Sequence, residues 1–268
     1  MCLILIAWHA HPGYPLVVAA NRDEFFARPT AAAGFWVDAP SVLAGRDLEA
    51  GGTWMGITRT GRFAALTNFR DPAQHRPDAP SRGHLVADFL RGTDAPAAYL
   101  ERIAPIARRC NGFNLLLSDG ESLWWSASTG DAQLRAKLLT PGVYGVSNHL
   151  LDTPWPKVDA GKTALAAAIT RLPDDLGLFE LLTNEAIHPD EELPETGVGL
   201  EWERLLSSAF VKGENHGYGT RCSTVAWFGA DSSFVFDEQS WLPGAQRGSR
   251  SRFSIQPQLN SGRRASTV

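Results

Sequence analysis

Residues 2–24 read CLILIAWHAHPGYPLVVAANRDE and hold two apolar runs on either side of a turn. The runs CLILIAW and YPLVVAAN flank the segment His11-Pro12-Gly13, which contains the turn residues proline and glycine. Two apolar runs joined by such a turn are typical of a β-hairpin. We therefore expect the fold to begin with an antiparallel hairpin whose second strand ends in four consecutive polar residues, 21–24.

The polar residues that end this hairpin bring charged side chains close to Cys2. If the chain turns at Pro12-Gly13, residues whose numbers sum to about 25 lie opposite each other, and Cys2 pairs with Asp23. Directly opposed side chains have Cβ atoms roughly 4.5 to 5.5 Å apart. Arg22 lies one step away, and a register shift of one residue would exchange Arg22 and Asp23. Either register places a charged side chain beside the thiol.

Strand patterns occur at both ends of the chain, and helical patterns lie between them. TWMGIT and RFAALTN flank a turn at 59–61 and predict a second hairpin. Apolar residues then recur at helical spacing after Ser81 and again from Tyr99, which predicts two helices. Strands return in FNLLLS, SLWWSA and GVYGVSN, two or three helices follow between Lys157 and Phe210, and TRCSTVAWF and SSFVFD predict a last hairpin. This order indicates an α+β fold in which helices cover antiparallel sheets.

The segment Gly51-Gly52-Thr53 is rich in glycine but leads into a strand pattern. A phosphate-binding loop would lead into a helix, so this context argues against one. We expect the segment to form a tight bend at the rim of a pocket.

The composition is that of a globular protein with a large core. The chain has 268 residues, of which 44% are hydrophobic and 20% charged, and its net charge is −4. These values fit one large domain or two small ones. Residues 247–268 contain five arginines, no acidic residue and few large apolar side chains. We expect residues 244–268 to be a disordered basic tail, with a nucleic-acid-binding or membrane-binding arm as the alternative.

The three cysteines, Cys2, Cys110 and Cys222, are too few and too scattered for a disulfide framework. Neither Cys-x-x-Cys nor His-x-x-x-His spacing occurs, and we expect no metal and no cofactor. The first apolar run is short and has no basic segment before it, unlike a signal peptide or a membrane span. We therefore predict a cytoplasmic protein without stable membrane insertion.

A cysteine at position 2 is a candidate nucleophile. A thiol reacts as its thiolate, and a nearby cation such as Arg22 lowers the pKa of a thiol. If Met1 is removed, Cys2 also carries a free α-amine, whose reference pKa of about 7.7 to 8.0 suits a general base. The alternative is that Cys2 is a small buried strand residue and that residues 21–24 form a solvated turn.

Several blocks of the sequence resemble one protein family. NRDE after VVAA, then AGRDLEAGGTWMGITRTGRFAALTNFRDP, SRGHLVADFL, NGFNLLLSD, YGVSNHLLDTPWPKV and YGTRCSTV occur in that order between residue 2 and about residue 237. They are similar to the signature blocks of the NRDE family, also called the transport-and-Golgi-organisation family. The resemblance implies a fold of the N-terminal-nucleophile hydrolase type over residues 1–243, a four-layer αββα sandwich of antiparallel sheets.

The resemblance also implies a catalytic site. The broader superfamily includes cysteine amidases such as the penicillin V acylase and bile salt hydrolase group, in which the N-terminal cysteine attacks an amide. In that group an arginine and an aspartate on the neighbouring strand support the thiol. By resemblance, Cys2 matches the nucleophile, and Arg22 and Asp23 match the supporting pair.

Three further residues match positions in that group. Asn148 in GVSN resembles the donor that stabilises the oxyanion, Asn68 in LTN resembles a second donor, and Arg221 in GTR resembles a second arginine. Without the family, asparagines in such places are also typical of turns or caps. An arginine on an apolar strand is seldom buried without a partner, and an acidic partner such as Asp23 would explain Arg221.

These residues together predict acyl transfer, in which a small-molecule amide or acyl substrate is hydrolysed at a non-peptide C–N bond. The alternative is a non-enzymatic protein that binds and transports haem, a lipid or acyl-CoA in the same pocket. The resemblance supports this alternative, because haem mobilisation and lipid or acyl-CoA homeostasis have been proposed for the wider family. A haem carrier needs an axial ligand in an apolar setting, and no His or Met of the sequence stands out as one. We expect no nucleic-acid partner.

Overall fold

The structure is a computed structural model that describes residues 2–130 and 134–255. Within these residues the chain forms fourteen strands and five helices, joined by loops and short 3-10 turns. The strands are β1 (Cys2–Trp8), β2 (Leu16–Phe25), β3 (Thr30–Trp36), β4 (Ala39–Asp47), β5 (Met55–Thr58), β6 (Phe63–Asn68), β7 (Phe113–Ser118), β8 (Leu123–Ser128), β9 (Arg135–Leu138), β10 (Gly142–Val146), β11 (Lys212–Gly213), β12 (Tyr218–Phe228), β13 (Phe234–Leu242) and β14 (Gln246–Ile255). The helices are α1 (Gly83–Arg91), α2 (Pro96–Ala107), α3 (Pro156–Ala168), α4 (Leu176–Leu182) and α5 (Leu200–Leu205).

The strands form two antiparallel sheets. The first sheet has the order β10-β1-β2-β12-β13-β14, with β11 paired to β12, and the second runs from β3 to β9 in chain order. The three hairpins predicted from the sequence, β1–β2, β5–β6 and β12–β13, are present. Because β1 and β2 lie between β10 and β12, the N-terminal hairpin is in the interior of its sheet.

Three clusters of buried side chains separate four layers. Ile4 and Ile6 of β1 belong to the cluster between the sheets, together with Ile57 of β5. Leu3 and Leu5 belong to a second cluster, between the first sheet and helices α3 and α4. Helices α1 and α2 cover the outer face of the second sheet. This arrangement confirms the predicted αββα sandwich, and it explains the continuous apolar run of β1, because both faces of that strand are buried.

The register of the first hairpin differs by one residue from the predicted register. Cys2 pairs with Arg22 rather than with Asp23. The strands are joined by a loop of seven residues, 9–15, which is centred on Pro12 and is wider than the predicted two-residue turn. Because successive strand residues point to opposite faces, Arg22 shares a face with position 2 and Asp23 lies on the other face.

Part of the predicted C-terminal tail is a strand. β14 pairs with β13. Arg250 Nη2 and Arg252 Nη1 donate to the buried carboxylate of Asp237 over 2.8 and 2.6 Å. The prediction of disorder over residues 244–268 is therefore wrong for β14, because ladder hydrogen bonds and these ion pairs offset the ordering entropy that composition alone suggested. Residues 256–268, the rest of that prediction, lie outside the described residues.

Candidate active site

A cavity of about 350 Å³ lies where β2, β4 and β6 end. Its walls come from these strand ends, from the bend between β4 and β5, and from the segment that leads into α1. Arg22, Asp23 and Asn68, three of the predicted site residues, line the cavity. Because Cys2 pairs with Arg22, the first strand begins beside the cavity. The fold therefore gathers four predicted residues at one end of the sandwich.

Arg22 is a fixed cation in the cavity wall. Its side chain is 6% exposed, and its guanidinium carbon lies 4.4 Å from the centroid of the Trp54 ring. Nη1 donates to Thr30 Oγ1 over 3.3 Å, and Nη2 lies 3.9 Å from Glu24 Oε2. A guanidinium held in this way across the ladder from Cys2 can favour the thiolate form of that residue.

The wall that carries Trp54 is shaped by glycines. At the rim, Gly51 has a φ of 78°, which favours glycine, and its N–H donates to the carbonyl of Asp47 over 2.8 Å. This bend lies at the rim of the cavity, as the sequence predicted. Below it, Gly45 leaves room for the Trp54 ring, because a Cβ atom at Gly45 would lie only 2.3 Å from Trp54 Cη2. Gly45 thus determines where Trp54, and with it Arg22, can lie.

We expect Gly45→Ala to lower the free energy of unfolding by about 1 to 3 kcal/mol, because the new methyl group must displace the Trp54 ring. Urea unfolding followed by circular dichroism measures the change. Gly34→Ala, in the neighbouring strand β3, is the matched control, since a Cβ atom there meets nothing within 4 Å. An equal decrease in the free energy of unfolding of the two variants would contradict the role of Gly45 in positioning Trp54.

Asp23 is buried on the face of the sheet opposite to Arg22. Its side chain is 1% exposed, and Thr220 Oγ1 donates to its Oδ1 over 2.7 Å. Burial raises the pKa of the Asp23 carboxyl group, while the hydrogen bond from Thr220 acts in the opposite direction. Tyr218 Oη also donates to the carbonyl of Asp23 over 2.9 Å. The carboxyl group and the backbone carbonyl of Asp23 thus each accept a hydrogen bond from β12 near the end of β2.

Arg221 lies at an irregularity in β12. The ladder between β2 and β12 shifts register between Thr220 and Cys222, which leaves Arg221 as the extra residue of a bulge. Its Nη1 donates to the carbonyls of Phe25 and Arg28 over 2.8 and 3.2 Å. These hydrogen bonds go to backbone carbonyls of the segment after β2 and not to Asp23, while Glu24 is the acidic group whose charge acts on Arg221. Arg221 is not among the described residues that line the cavity, so a catalytic part for it stays a prediction.

The two predicted oxyanion donors occupy different positions. Asn68 is the last residue of β6 and lines the cavity. Asn148 is fully buried, and its Nδ2 donates to the carbonyl of Asn68 over 2.9 Å. Asn148 therefore lies behind Asn68 and holds its backbone in place.

A buried ion pair that the sequence did not indicate stabilises the segment that follows Asn68. Arg70 Nη1 and Glu203 Oε2 are 2.5 Å apart, and their side chains are 4% and 5% exposed. The Arg70 guanidinium carbon lies 4.9 Å from the centroid of the Trp155 ring, and the Arg70 N–H donates to the carbonyl of Asn148 over 2.8 Å. The pair thus anchors the segment that follows Asn68.

Comparison with known proteins places the chain in a family. A family model described as Transport and Golgi organisation 2 matches residues 1–243. The Transport and Golgi organization protein 2 homolog of Bos taurus is 38% identical over 263 residues, which cover 90% of this chain and 94% of that protein. The chain belongs to the Transport and Golgi organisation 2 family. The resemblance inferred from the sequence blocks is thereby confirmed.

Other members of the Transport and Golgi organisation 2 family match the chain over similar lengths. The Mus musculus homolog is 36% identical over 261 residues, covering 90% of this chain and 94% of its own. The Drosophila melanogaster protein is 31% identical over 294 residues, covering 98% of this chain and 100% of its own. The match therefore extends over nearly the full length of these relatives.

Two solved structures show which fold this family member has. The Caenorhabditis elegans ortholog of N-acylethanolamine-hydrolyzing acid amidase superposes with a TM-score of 0.52 at 10% identity, covering 84% of this chain and 92% of that chain. The C2A mutant of conjugated bile acid hydrolase from Clostridium perfringens gives 0.51 at 9% identity, covering 96% and 92%. At this identity the likeness concerns the fold alone, which is that of the N-terminal-nucleophile hydrolases.

Two further observations concern ligands and membranes. Within residues 2–130 and 134–255, no group of three or more His, Cys, Asp and Glu side chains is placed to hold a metal ion. Over the same part of the chain, no helix combines the length and the apolar character needed to cross a membrane.

Proposed function

We propose that this protein is an N-terminal-nucleophile cysteine hydrolase that cleaves a non-peptide amide C–N bond, with Cys2 as the nucleophile. The observation that carries the proposal is the pairing of Cys2 with Arg22, whose guanidinium group is fixed in the wall of a cavity that Asn68 also lines. The hydrolase fold supports it, since a cysteine at the start of the first strand is where that fold places its nucleophile.

The reaction starts once Met1 has been removed. The α-amine of Cys2 takes the thiol proton, and the sulfur attacks the substrate carbonyl carbon to form a C–S bond. Arg22 favours the thiolate by its charge. We assign Asn68 to hydrogen-bond the oxyanion, while Asn148, predicted as the main donor, orients Asn68 from behind. Asp23 is assigned to orient the α-amine.

The tetrahedral intermediate then collapses and the C–N bond breaks. The α-ammonium group returns its proton to the leaving nitrogen, and the amine departs. Water attacks the thioester, the α-amine takes a proton from that water, and the C–S bond breaks as the sulfur is reprotonated. The products are a carboxylic acid and an amine, and the enzyme returns to its starting state.

The alternative of a haem or lipid carrier has less support from the cavity. Among the described residues that line it, none is a histidine or a methionine, the side chains that would serve as axial ligands to haem. Seven of these lining residues are Arg, Asp or Glu, whereas a lipid needs an apolar surface. These observations favour the hydrolase.

We further propose that the protein works in the cytoplasm on a small-molecule amide or acyl substrate, without nucleic acid and without stable membrane insertion. Cys110 and Cys222 are buried and are not joined in a disulfide, which is consistent with a reducing compartment.

Asn68→Ala is expected to lower kcat for amide hydrolysis about 100-fold, because one donor to the oxyanion is lost. KM should change by less than about threefold, since the ground-state carbonyl uses this donor weakly. Steady-state kinetics with an acetylated p-nitroanilide measure both constants. Asn184→Ala changes an exposed asparagine away from the cavity and serves as the control. An Asn68→Ala enzyme with the wild-type kcat would contradict the assignment.

A further inference from the structure

The lining of the cavity is informative about the substrate. Eighteen of the described residues line the cavity, of which three are arginines and four are acidic. Trp54 and Leu66 are the largest apolar side chains among them, and Leu66 is 8% exposed. One face of the Trp54 ring is already covered by the guanidinium group of Arg22. The wall therefore offers little apolar surface to a substrate.

The charged groups at the rim are held in defined positions. Arg28 Nε and Nη2 both donate to Asp47 Oδ2, over 3.0 and 2.8 Å, and Nη1 donates to Glu49 Oε1 over 2.9 Å. Although partial burial acts to raise the pKa of Asp47, the hydrogen bonds and the charge of Arg28, together with the backbone N–H groups of Ala50 and Glu49, outweigh it and lower that pKa. Asp47 and Arg28 thus stay ionised at neutral pH.

An alkyl chain in this cavity would have to cover ionised groups without offering them hydrogen bonds. Burial of a polar group without such compensation costs roughly 1 to 3 kcal/mol. Burial of a methylene group stabilises the complex by only about 0.8 kcal/mol, and only when the group lies against apolar surface. Each additional methylene in the cavity therefore weakens binding, or extends into solvent without strengthening it.

We infer that the substrate is a compact amide that carries polar or charged groups of its own, such as an N-acylated amino acid with a short acyl chain, and is not a lipid amide. The inference rests on the proposed function and names the substrate class of the same site. Both signs of charge line the cavity, so a carboxylate on the substrate meets an arginine and a polar amide N–H meets an acidic oxygen. The cavity volume of about 350 Å³ is near the lower end for ligand sites, roughly 300 to 1,000 Å³.

The test compares three amides with the mature wild-type protein: N-acetylglycine, N-octanoylglycine, which lengthens the acyl side, and N-octylacetamide, which lengthens the amine side. We expect kcat/KM for N-acetylglycine to exceed both others at least tenfold. Acetylation of Cys2 by p-nitrophenyl acetate is measured in parallel. Suppose that Cys2 is acetylated, but that an octyl or octanoyl amide is preferred or N-acetylglycine is not hydrolysed. The inference about the substrate is then overturned, while the assignment of Cys2 as the nucleophile stands. If Cys2 is not acetylated, the proposed function fails as well.

A pair of variants tests whether the rim charges cause the preference. Arg28→Leu should reduce the preference for N-acetylglycine over N-octanoylglycine at least fivefold. Arg46→Leu is the matched control, because Arg46 also binds a carboxylate through two nitrogens, at Asp38, and is exposed to a similar degree, 31% against 27% for Arg28. Arg46 does not line the cavity, and its loss should leave the preference unchanged.

Stability is checked first, because Arg28→Leu leaves two carboxylates without their partner. If that variant does not fold, Glu49→Gln replaces it, since Glu49 is 58% exposed and the exchange keeps its shape. A folded rim variant with the wild-type preference would overturn the role of these charges in selecting the substrate.

Discussion

Alanine at position 2 is expected to lower kcat/KM for amide hydrolysis by about 10⁴-fold or more, the largest catalytic effect of any single exchange in this chain. The reason is that the proposed reaction passes through a bond to the sulfur of Cys2, and no other group replaces it. Alanine preserves the backbone ladder between β1 and β2, so the fold should remain. Steady-state kinetics, together with circular dichroism spectra, measure both expectations.

Cys222→Ala is the matched control for this exchange. Cys222 pairs with Arg22 from β12, just as Cys2 pairs with Arg22 from β1, so the two cysteines flank the same arginine. The Cys222 side chain is 5% exposed and does not line the cavity. We expect its loss to change kcat/KM by less than about threefold. An equal decrease in kcat/KM of the two variants would show that packing around Arg22, and not the loss of a nucleophile, causes the decrease.

Glu203→Gln is expected to lower the free energy of unfolding by about 3 to 5 kcal/mol, because it removes the carboxylate that pairs with the buried charge of Arg70. Glutamine is close in shape to glutamate, so packing changes little and the lost charge dominates. Urea unfolding at pH 7 measures the effect.

An exposed ion pair provides the comparison. Arg102 Nε and Asp94 Oδ2 are 2.8 Å apart, but their side chains are 54% and 41% exposed. Asp94→Asn should therefore cost less than about 1 kcal/mol. The double exchange Arg70→Met with Glu203→Met should recover part of the stability lost in Glu203→Gln, since both charges of the pair are then removed together. A loss in Glu203→Gln as small as that in Asp94→Asn would contradict the structural role of the pair.

The sequence predicted the order of elements better than their register. The turn residues around Pro12 were sufficient to predict the first hairpin, because two apolar runs separated by a turn leave few alternatives. They did not determine how many residues leave the ladder, and the seven-residue loop shifted the pairing of Cys2 from Asp23 to Arg22. Successive residues of a strand point to opposite faces of the sheet. The register shift of one residue therefore decided which charged group shares a face with position 2.

The sequence analysis did not predict five of the strands, β3, β4, β9, β11 and β14, and three of them show why. β3 has the sequence TAAAGFW, in which small residues give neither an alternating nor a continuous apolar pattern, and its pairing with β4 is irregular. β9 is short, with all four residues exposed. β14 reads as a polar basic segment, and its order depends on Asp237, a residue of the neighbouring strand β13. In each case the stabilising contacts come from another strand, which composition does not reveal.

Those residues of the candidate site that lie next to a predicted strand or in a recognisable sequence block could be predicted from the sequence. Arg22 and Asp23 follow directly from the polar end of the first hairpin, whereas Asn68 was identified through the resemblance of LTN to the family pattern. The Arg70–Glu203 pair was not predictable, because its members are 133 positions apart and α5, which carries Glu203, is only six residues long. Long-range ion pairs leave no periodic signal in the sequence.

The intact mass of the purified protein, before and after treatment with p-nitrophenyl acetate, tests the central claim most directly. The account predicts that Met1 is absent, that one acetyl group is added, and that the addition disappears in Cys2→Ala but persists in Cys222→Ala. A protein that retains Met1 would lack the α-amine that acts as the base. Acetylation that Cys2→Ala leaves unchanged would exclude Cys2 as the nucleophile, and either result would contradict the proposed hydrolase.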